Sequence, residues 1–159
     1  MSMTKILSCD QSSKISGWAV LDDGFPVKYG RVDLTGELNV PERVKHMFLD
    51  LVKIIDAADC NSMAVEAVQF QRNLDAYALL ANIQGALICY AHLRGIPVSS
   101  PLPTEWRKTL GFRQGPKVKR EELKAQAIQY VKENFGLDVT EDEAEAICIG
   151  RAEYLRLKE

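Results

Sequence analysis

Apolar positions follow two rhythms along this chain. Residues 6–9 form an apolar run that stops at Asp10, a polar QSSKIS segment follows, and residues 17–21 resume the run. Two short runs flanking a Ser/Gly-bearing turn predict a β-hairpin. DDGF at residues 22–25 is a turn, and PVKYGRVDL supplies a third strand over 27–34. From Pro41 the spacing changes to i, i+3, i+4 through Val44, Met47, Phe48, Leu51, Val52, Ile54 and Ile55, a helix ending near Ala58. SMAVEAV, residues 62–68, reads as a fourth, buried strand, with the acid Glu66 inside it. A long helical pattern over 74–94, apolar over much of its surface, stops at Gly95. IPVSS, residues 96–100, is short and β-branched, a fifth strand. A short helix over 105–110 and two longer ones over 118–134 and 140–157 complete the chain. Strands first in an antiparallel meander, then alternating with helices, predict an α/β fold: a mixed sheet with helices on both faces.

Composition narrows the class. The chain has 159 residues, 47% hydrophobic and 26% charged, enough for one globular domain over 1–159 with a real core. No unbroken apolar run approaches the ~20 residues of a bilayer span, and MSMTK leads directly into a strand without a secretory signal, so a cytoplasmic setting and no membrane partner are expected. Cys9, Cys60, Cys89 and Cys148 are scattered and form no CxxC pair. That argues against a zinc site or disulfide framework and for a reducing compartment. The formal charge of −2 hides an asymmetry: from Pro103 to Lys124 seven bases face three acids, whereas five acids and no base lie between Asp138 and Glu145.

The acids carry the candidate chemistry. Asp10 ends an apolar strand and Glu66 interrupts another, and a buried charge costs several kcal/mol unless it is paired or holds a metal. In TEDEAEAICIG, Thr140 and Glu143 match a capping box, which puts Glu141, Asp142 and Glu143 in the first turn of the last helix. The helix dipole accounts for first-turn acids without any function, but not for Asp10 or Glu66. Asp142 and Glu145, three apart, project from one helix face, and the apolar AICIG that follows buries this helix early. Clustered carboxylates repel unless a cation sits among them, and oxygen ligands without Cys or His select Mg²⁺ or Mn²⁺. The chemistry suggested is a two-metal site, with ions about 4 Å apart activating a water and stabilising the leaving oxygen of a phosphodiester.

In order and context these residues resemble a known family. The hairpin ILSCDQSSKISGWAVL is similar to the first hairpin of the RNase H-like superfamily. With Glu66 in VEAVQFQRN, a following helix containing IQGAL, and the Asp142/Glu145 pair before AICIG, the chain resembles the RuvC-type Holliday junction resolvases, of a phage-borne branch. The resemblance runs from Ile6 to about Tyr154. It implies an RNase H-like five-stranded sheet and a metal-dependent endonuclease that resolves four-way DNA junctions. It also implies a homodimer making paired symmetric nicks that leave 5′-phosphate and 3′-hydroxyl ends. Asp10, Glu66, Asp142 and Glu145 become the catalytic metal ligands by this carry-over, with Mg²⁺ as cofactor and Mn²⁺ substituting. A branch-migration partner is left open.

Two departures stand out. The last ligand is usually an aspartate in cellular members, so Glu145 competes for that role with Glu141 and Glu143. An aromatic residue usually stands where this chain has Gln69, with Phe70 beside it as the candidate to stack on a base. The basic segment lies beside the cleft in the resemblance. Arg107, Lys108, Lys117, Lys119 and Arg120 are the candidate DNA-binding residues, because phosphate contacts supply most of the affinity for DNA. Lys117 is also the candidate catalytic cation, placed by the resemblance near the metals to stabilise charge developing on the scissile phosphate. Trp106 reads as a packing anchor, His46 and His92 as incidental, and the helix over 74–94 as the dimer surface. Two other readings compete: an RNase H-like nuclease for flaps or three-way junctions, and a catalytically idle junction-binding module. An actin-like nucleotide site is excluded because that fold needs two such domains.

Overall fold

The apolar run before Asp10 becomes a central strand because both of its faces are covered. The computed structural model describes residues 3–37, 39–70 and 72–159; Gln71, within the quoted VEAVQFQRN motif, lies outside them. Strands β1 (Lys5–Asp10), β2 (Ile15–Asp22), β3 (Phe25–Asp33), β4 (Ser62–Val65) and β5 (Val98–Ser99) form one sheet in the order β3-β2-β1-β4-β5. The first three pair antiparallel as a meander; β1 with β4 and β4 with β5 are parallel. Helices α1 (Val40–Ala58), α2 (Leu74–Leu93), α3 (Pro103–Thr109), α4 (Arg120–Phe135) and α5 (Glu141–Leu157) complete the chain. This is the mixed sheet that the order of elements predicted, with the five strands that the resemblance implied.

Side-chain alternation along the strands sorts two cores. Leu7, Cys9, Val20, Met63 and Val65 pack against Met47, Leu51 and Ile55 of α1 and Ile83, Leu87 and Ala91 of α2. The opposite face carries Ala19, Leu21 and Ala64, covered by α5, α4 and Trp106 of α3. That second face is built from small residues, so α5 lies close to it. Ser8 Oγ donates to the Ala146 carbonyl (2.6 Å), and a Cβ on Gly150 would run into Leu21 and Ser8. Residues 146–150 are all buried. Each of the fully buried Ile147 and Ile149 contributes about 2 kcal/mol of burial free energy.

Several boundaries moved. The fourth strand ends at Val65, not Val68, because the Ala67 N–H turns to the Pro101 carbonyl (2.9 Å) and the Val68 N–H to Gln84 Oε1 (3.1 Å). The fifth strand keeps only Val98–Ser99 of IPVSS, since Pro97 and Pro101 at its ends have no N–H for a ladder. The helix expected from residue 118 begins at Arg120. By length and composition α2 is the one helix among the described residues that is apolar enough to cross a bilayer. Asp75, Asn82 and Gln84 interrupt its apolar residues, so it holds no long unbroken apolar run.

Candidate active site

Asp10 and Glu66 meet because two parallel strands end together. Cys9 stands opposite Val65 in the β1–β4 register, so the next residue on each chain, Asp10 and Glu66, emerges at the same sheet edge. The Glu66 N–H donates to the Cys9 carbonyl (3.1 Å), which holds that edge closed. Glu66 therefore stands just past its strand, not inside it.

The first turn of α5 is brought to the same edge by a missing side chain. Gly17 lies directly across from Asp10 in the β1–β2 register, and a Cβ there would overlap the backbone carbonyl of Asp142. The capping box fixes the start of the helix. Thr140 Oγ1 accepts from the Glu143 N–H (3.3 Å), and Glu143 Oε1 accepts from the Thr140 N–H (2.9 Å). This employs Glu143, and Glu141 is bonded to Lys124 Nζ (2.8 Å). Asp142 and Glu145 are left to line the cleft.

All four carboxylates line one cleft of about 740 Å³, with Arg107 of α3 and Arg120 and Lys124 of α4 on its walls. Burial, the charge of Glu66, a hydrogen bond and charge from Glu145, and the charge of Asp142 together hold the Asp10 carboxyl well above its ordinary range. A hydrogen bond between two carboxyl groups requires a proton on one of them. Burial pushes Glu66 up to about 7, with the Trp106 indole N–H and Arg107 opposing the shift and Glu145 adding to it. Asp142 is raised by burial and by Glu145, against Lys124 and Arg31. Arg31 stands 3.9 Å from Asp142 on a half-exposed surface, so that pair adds little. Burial pushes the Cys9 thiol up to about 12, which makes it inert as a nucleophile.

This donor set suits a hard divalent cation. Four carboxylates crowd together, three of them (Asp10, Glu66 and Asp142) held above their ordinary range, as a positive ion among them would relieve, and the buried Gln11 Oε1 on the cleft wall has no hydrogen-bond partner. Among the described residues no three side chains form a ready-made cage. The carboxylates point instead at protein partners: Glu66 at Trp106 and Glu145 at Asp10.

The family model described as crossover junction endodeoxyribonuclease RuvC matches residues 6–149. The chain belongs to the RuvC family. RuvC of Methylococcus capsulatus is 33% identical over 98 residues, covering 60% of this chain and 59% of that protein. For Halorhodospira halophila RuvC the identity is 28%, covering 68% of this chain and 66% of the relative. These two matches thus span under two thirds of the relatives' length. RuvC of Hydrogenovibrio crunogenus is 27% identical over 98% of this chain and 91% of its own. Among solved structures, T. thermophilus RuvC in complex with Holliday junction substrate superposes with a TM-score of 0.76 at 18% identity, covering 97% of this chain and 96% of the other. The Fowlpox virus resolvase bound to Holliday junction DNA reaches 0.66 at 15% identity, covering 98% of this chain and 100% of the other. At those identities the likeness is one of fold.

Within this RuvC-family cleft the basic residues are rearranged relative to the sequence expectation. Arg107 and Arg120 line it; Lys108, Lys117 and Lys119 are not among its lining residues. The reason is helical phase: α4 begins at Arg120, so Arg120, Leu123 and Lys124, at i, i+3 and i+4, share the wall, while Lys117 and Lys119 precede the helix. Lys124 lies close enough to Asp142 and Glu145 to feel their charge, and its i+4 spacing from Arg120 was the signal available to find it. Lys14, in the turn of the first hairpin, also lines the cleft. Gln69 reaches the cleft, whereas Phe70 is 75% exposed, its ring 6.1 Å from Tyr77. His46 pairs with Glu37 on the surface, and neither histidine lines the cleft.

The crowded acids set a pH dependence. Glu66 holds its proton more tightly folded (about 7) than at its ordinary value of 4.5, so the folded chain binds more protons between those values. The stability tied to this group is full below about pH 4.5 and lost as pH rises through 7. Metal-free protein in EDTA is expected to melt about 4–8 °C lower at pH 8 than at pH 5.5, on the order of 2 kcal/mol, with Mg²⁺ restoring the difference at pH 8. Calorimetry at the two pH values checks this; equal melting points would contradict it.

Proposed function

We propose that this chain is a metal-dependent endodeoxyribonuclease that resolves four-way DNA junctions by paired nicks. The observation that carries the reading is the convergence of Asp10, Glu66, Asp142 and Glu145 in one cleft walled by Arg107, Arg120 and Lys124. Asp10, Glu66, Asp142 and Glu145 would hold Mg²⁺, or Mn²⁺ in its place. When bound, the metal supplies an activated water and a Lewis acid for the leaving oxygen.

The chain's own residues do the rest. Arg107 and Arg120 grip the phosphates on either side of the cut and set the strand's register. The Lys124 ammonium, shared in the free protein with Glu141, turns to the scissile phosphate and stabilises charge developing there. Hydrolysis adds water across the P–O3′ bond and leaves a 5′-phosphate and a 3′-hydroxyl. The exposed Phe70, next to the cleft residue Gln69, stacks on a base unpaired at the junction centre. One cleft cuts one strand, so paired nicks require two copies. The uncovered apolar surface of α2 is the face for that homodimer: Ile83, Leu87 and Ala91 are its buried residues, and Leu74 and Leu93 are exposed. The four cysteines are all free, as a reducing cytoplasm of a bacterium or a phage-infected cell would keep them.

A gel assay on a synthetic mobile four-way junction, beside three-way, flap and linear DNA, tests the reading with Mg²⁺, Mn²⁺ or EDTA. Paired nicks of the four-way junction with either metal, and none in EDTA, are expected. Preferential cutting of flaps would replace the substrate, and binding without metal-dependent nicking would leave a binding module. Lys124→Ala is expected to slow nicking about 10–100-fold, whereas Lys117→Ala changes it by less than about threefold.

A further inference from the structure

The core of the second sheet face contains one hydrogen bond that packing does not require. Trp106 Nε1 donates to Glu66 Oε2 at 2.6 Å, and this bond favours the ionised carboxylate against its burial. Trp106 is only 2% exposed, and its ring meets Phe112 edge-on, with centroids 5.6 Å apart and planes at 76°. Pro103 opens the short helix that carries it, and the Trp106 N–H is tied to the Leu102 carbonyl (3.2 Å). The ring is thus fixed on its own side, and the donor it offers to Glu66 is fixed with it. On the other side of the bond, the Glu66 N–H is held by Cys9 and the Ala67 N–H by Pro101. A flexible glutamate side chain is therefore constrained at its backbone and at one carboxylate oxygen.

We propose that Trp106 is a positioning residue for Glu66: its indole N–H takes one carboxylate oxygen and turns the other toward the cation cluster. This rests on the reading of Glu66 as one of the cation-holding acids. An indole suits the task because it donates only one hydrogen bond, accepts none, carries no charge and does not titrate. It orients the carboxylate without neutralising it and cannot compete as a ligand. A lysine or arginine in its place would satisfy the charge that the metal must find. The arrangement also reaches the DNA side of the cleft. The Arg107 guanidinium lies 5.1 Å from the Trp106 ring centroid, its Nε is buried without a partner, and Arg107 lines the cleft. The same ring therefore orients a metal-holding carboxylate and seats a phosphate-gripping cation.

The test compares the full-length wild type with Trp106→Phe, which keeps an aromatic ring and removes the N–H. Mg²⁺ binding is read as the concentration midpoint of the rise in melting temperature, alongside kcat and KM on a four-way junction. Loss of such an outer partner typically weakens metal binding 10–100-fold, so a Mg²⁺ midpoint raised about tenfold and a lower kcat at unchanged KM are expected. A midpoint and kcat equal to wild type overturn the proposal and leave Trp106 as packing alone. Should the variant not fold, wild-type protein still decides. The chain has two tryptophans, and the Trp106 indole proton, assigned against Trp18, is expected downfield and shielded from exchange, moving upfield in Glu66→Gln. An indole resonance indifferent to Glu66→Gln overturns the proposal. If wild type shows no Mg²⁺ response at all, the cation reading itself has failed and this one falls with it.

Discussion

Asp10→Asn and Glu66→Gln are each expected to reduce junction nicking by about 10³-fold or more while the folded chain still binds the junction. Each replaces a candidate ligand with a near-isosteric amide that a hard divalent ion holds poorly, and the metal's contribution to the barrier is several kcal/mol. Binding is expected to persist because the cations proposed to grip phosphate, Arg107, Arg120 and Lys124, stand on other walls of the cleft and are unchanged. The same substitutions move stability the opposite way. Asp10 is crowded by Glu66, Glu145 and Asp142 and held above its ordinary range, so removing its charge relieves repulsion in the metal-free protein. In EDTA at pH 8, Asp10→Asn is expected to melt a few degrees above wild type, and Mg²⁺ is expected to raise its melting point less. A more stable protein that no longer cuts is the signature of a site whose geometry costs the fold something. Cleavage at near wild-type rate in either variant, by single-turnover gel assay, would remove the metal-site assignment.

Gly17→Ala is the second large effect, and it contains no change of chemistry. The added methyl runs into the Asp142 carbonyl, a backbone atom in the capped first turn of a buried helix, which cannot step aside as a flexible side chain would. Relief requires the start of α5 to lift from the sheet edge, and overpacking of this kind costs about 1–3 kcal/mol or more. The same movement takes Asp142 and Glu145 away from Asp10. Because a displacement of about 1 Å at a reacting centre costs roughly 10²-fold in rate, nicking is expected to fall at least that far. Gly36→Ala is the matched control, since a Cβ there meets nothing within 4 Å, and it is expected to stay within about 0.5 kcal/mol of wild type. Urea unfolding of both variants, with the nicking assay, checks the pair. If Gly17→Ala matches the control in both, the close approach of α5 is not what assembles the site.

Much of this arrangement was legible because its signals are local. The apolar run broken by Asp10 is a strand end, and the Thr140/Glu143 spacing is a helix start; both depend on residues within a few positions of one another. Glu66 was picked out as an acid in an apolar segment, yet it was placed inside a strand that ends before it. Ala67 and Val68 continue the β pattern, and only their hydrogen bonds to Pro101 and Gln84 show that the chain has left the sheet. Arg120 and Lys124 reach the cleft wall while Lys117 and Lys119 precede α4 and do not, because the packing of α4 against α5, between segments distant in sequence, decides which turn faces the acids. Trp106 read as packing because nothing in PTEWRK indicates that an acid forty positions earlier lies beside the indole.

The elements, their order and the acids that punctuate them are written in the chain, because periodicity, caps and strand breaks act over a few residues. That order of acids also carries the resemblance to the family whose model matches residues 6–149. The tertiary structure alone decided which groups meet: parallel pairing of β1 with β4 puts Asp10 beside Glu66, and the bare backbone at Gly17 admits α5. Register and close packing choose those neighbours, since they depend on how two surfaces distant in sequence fit together.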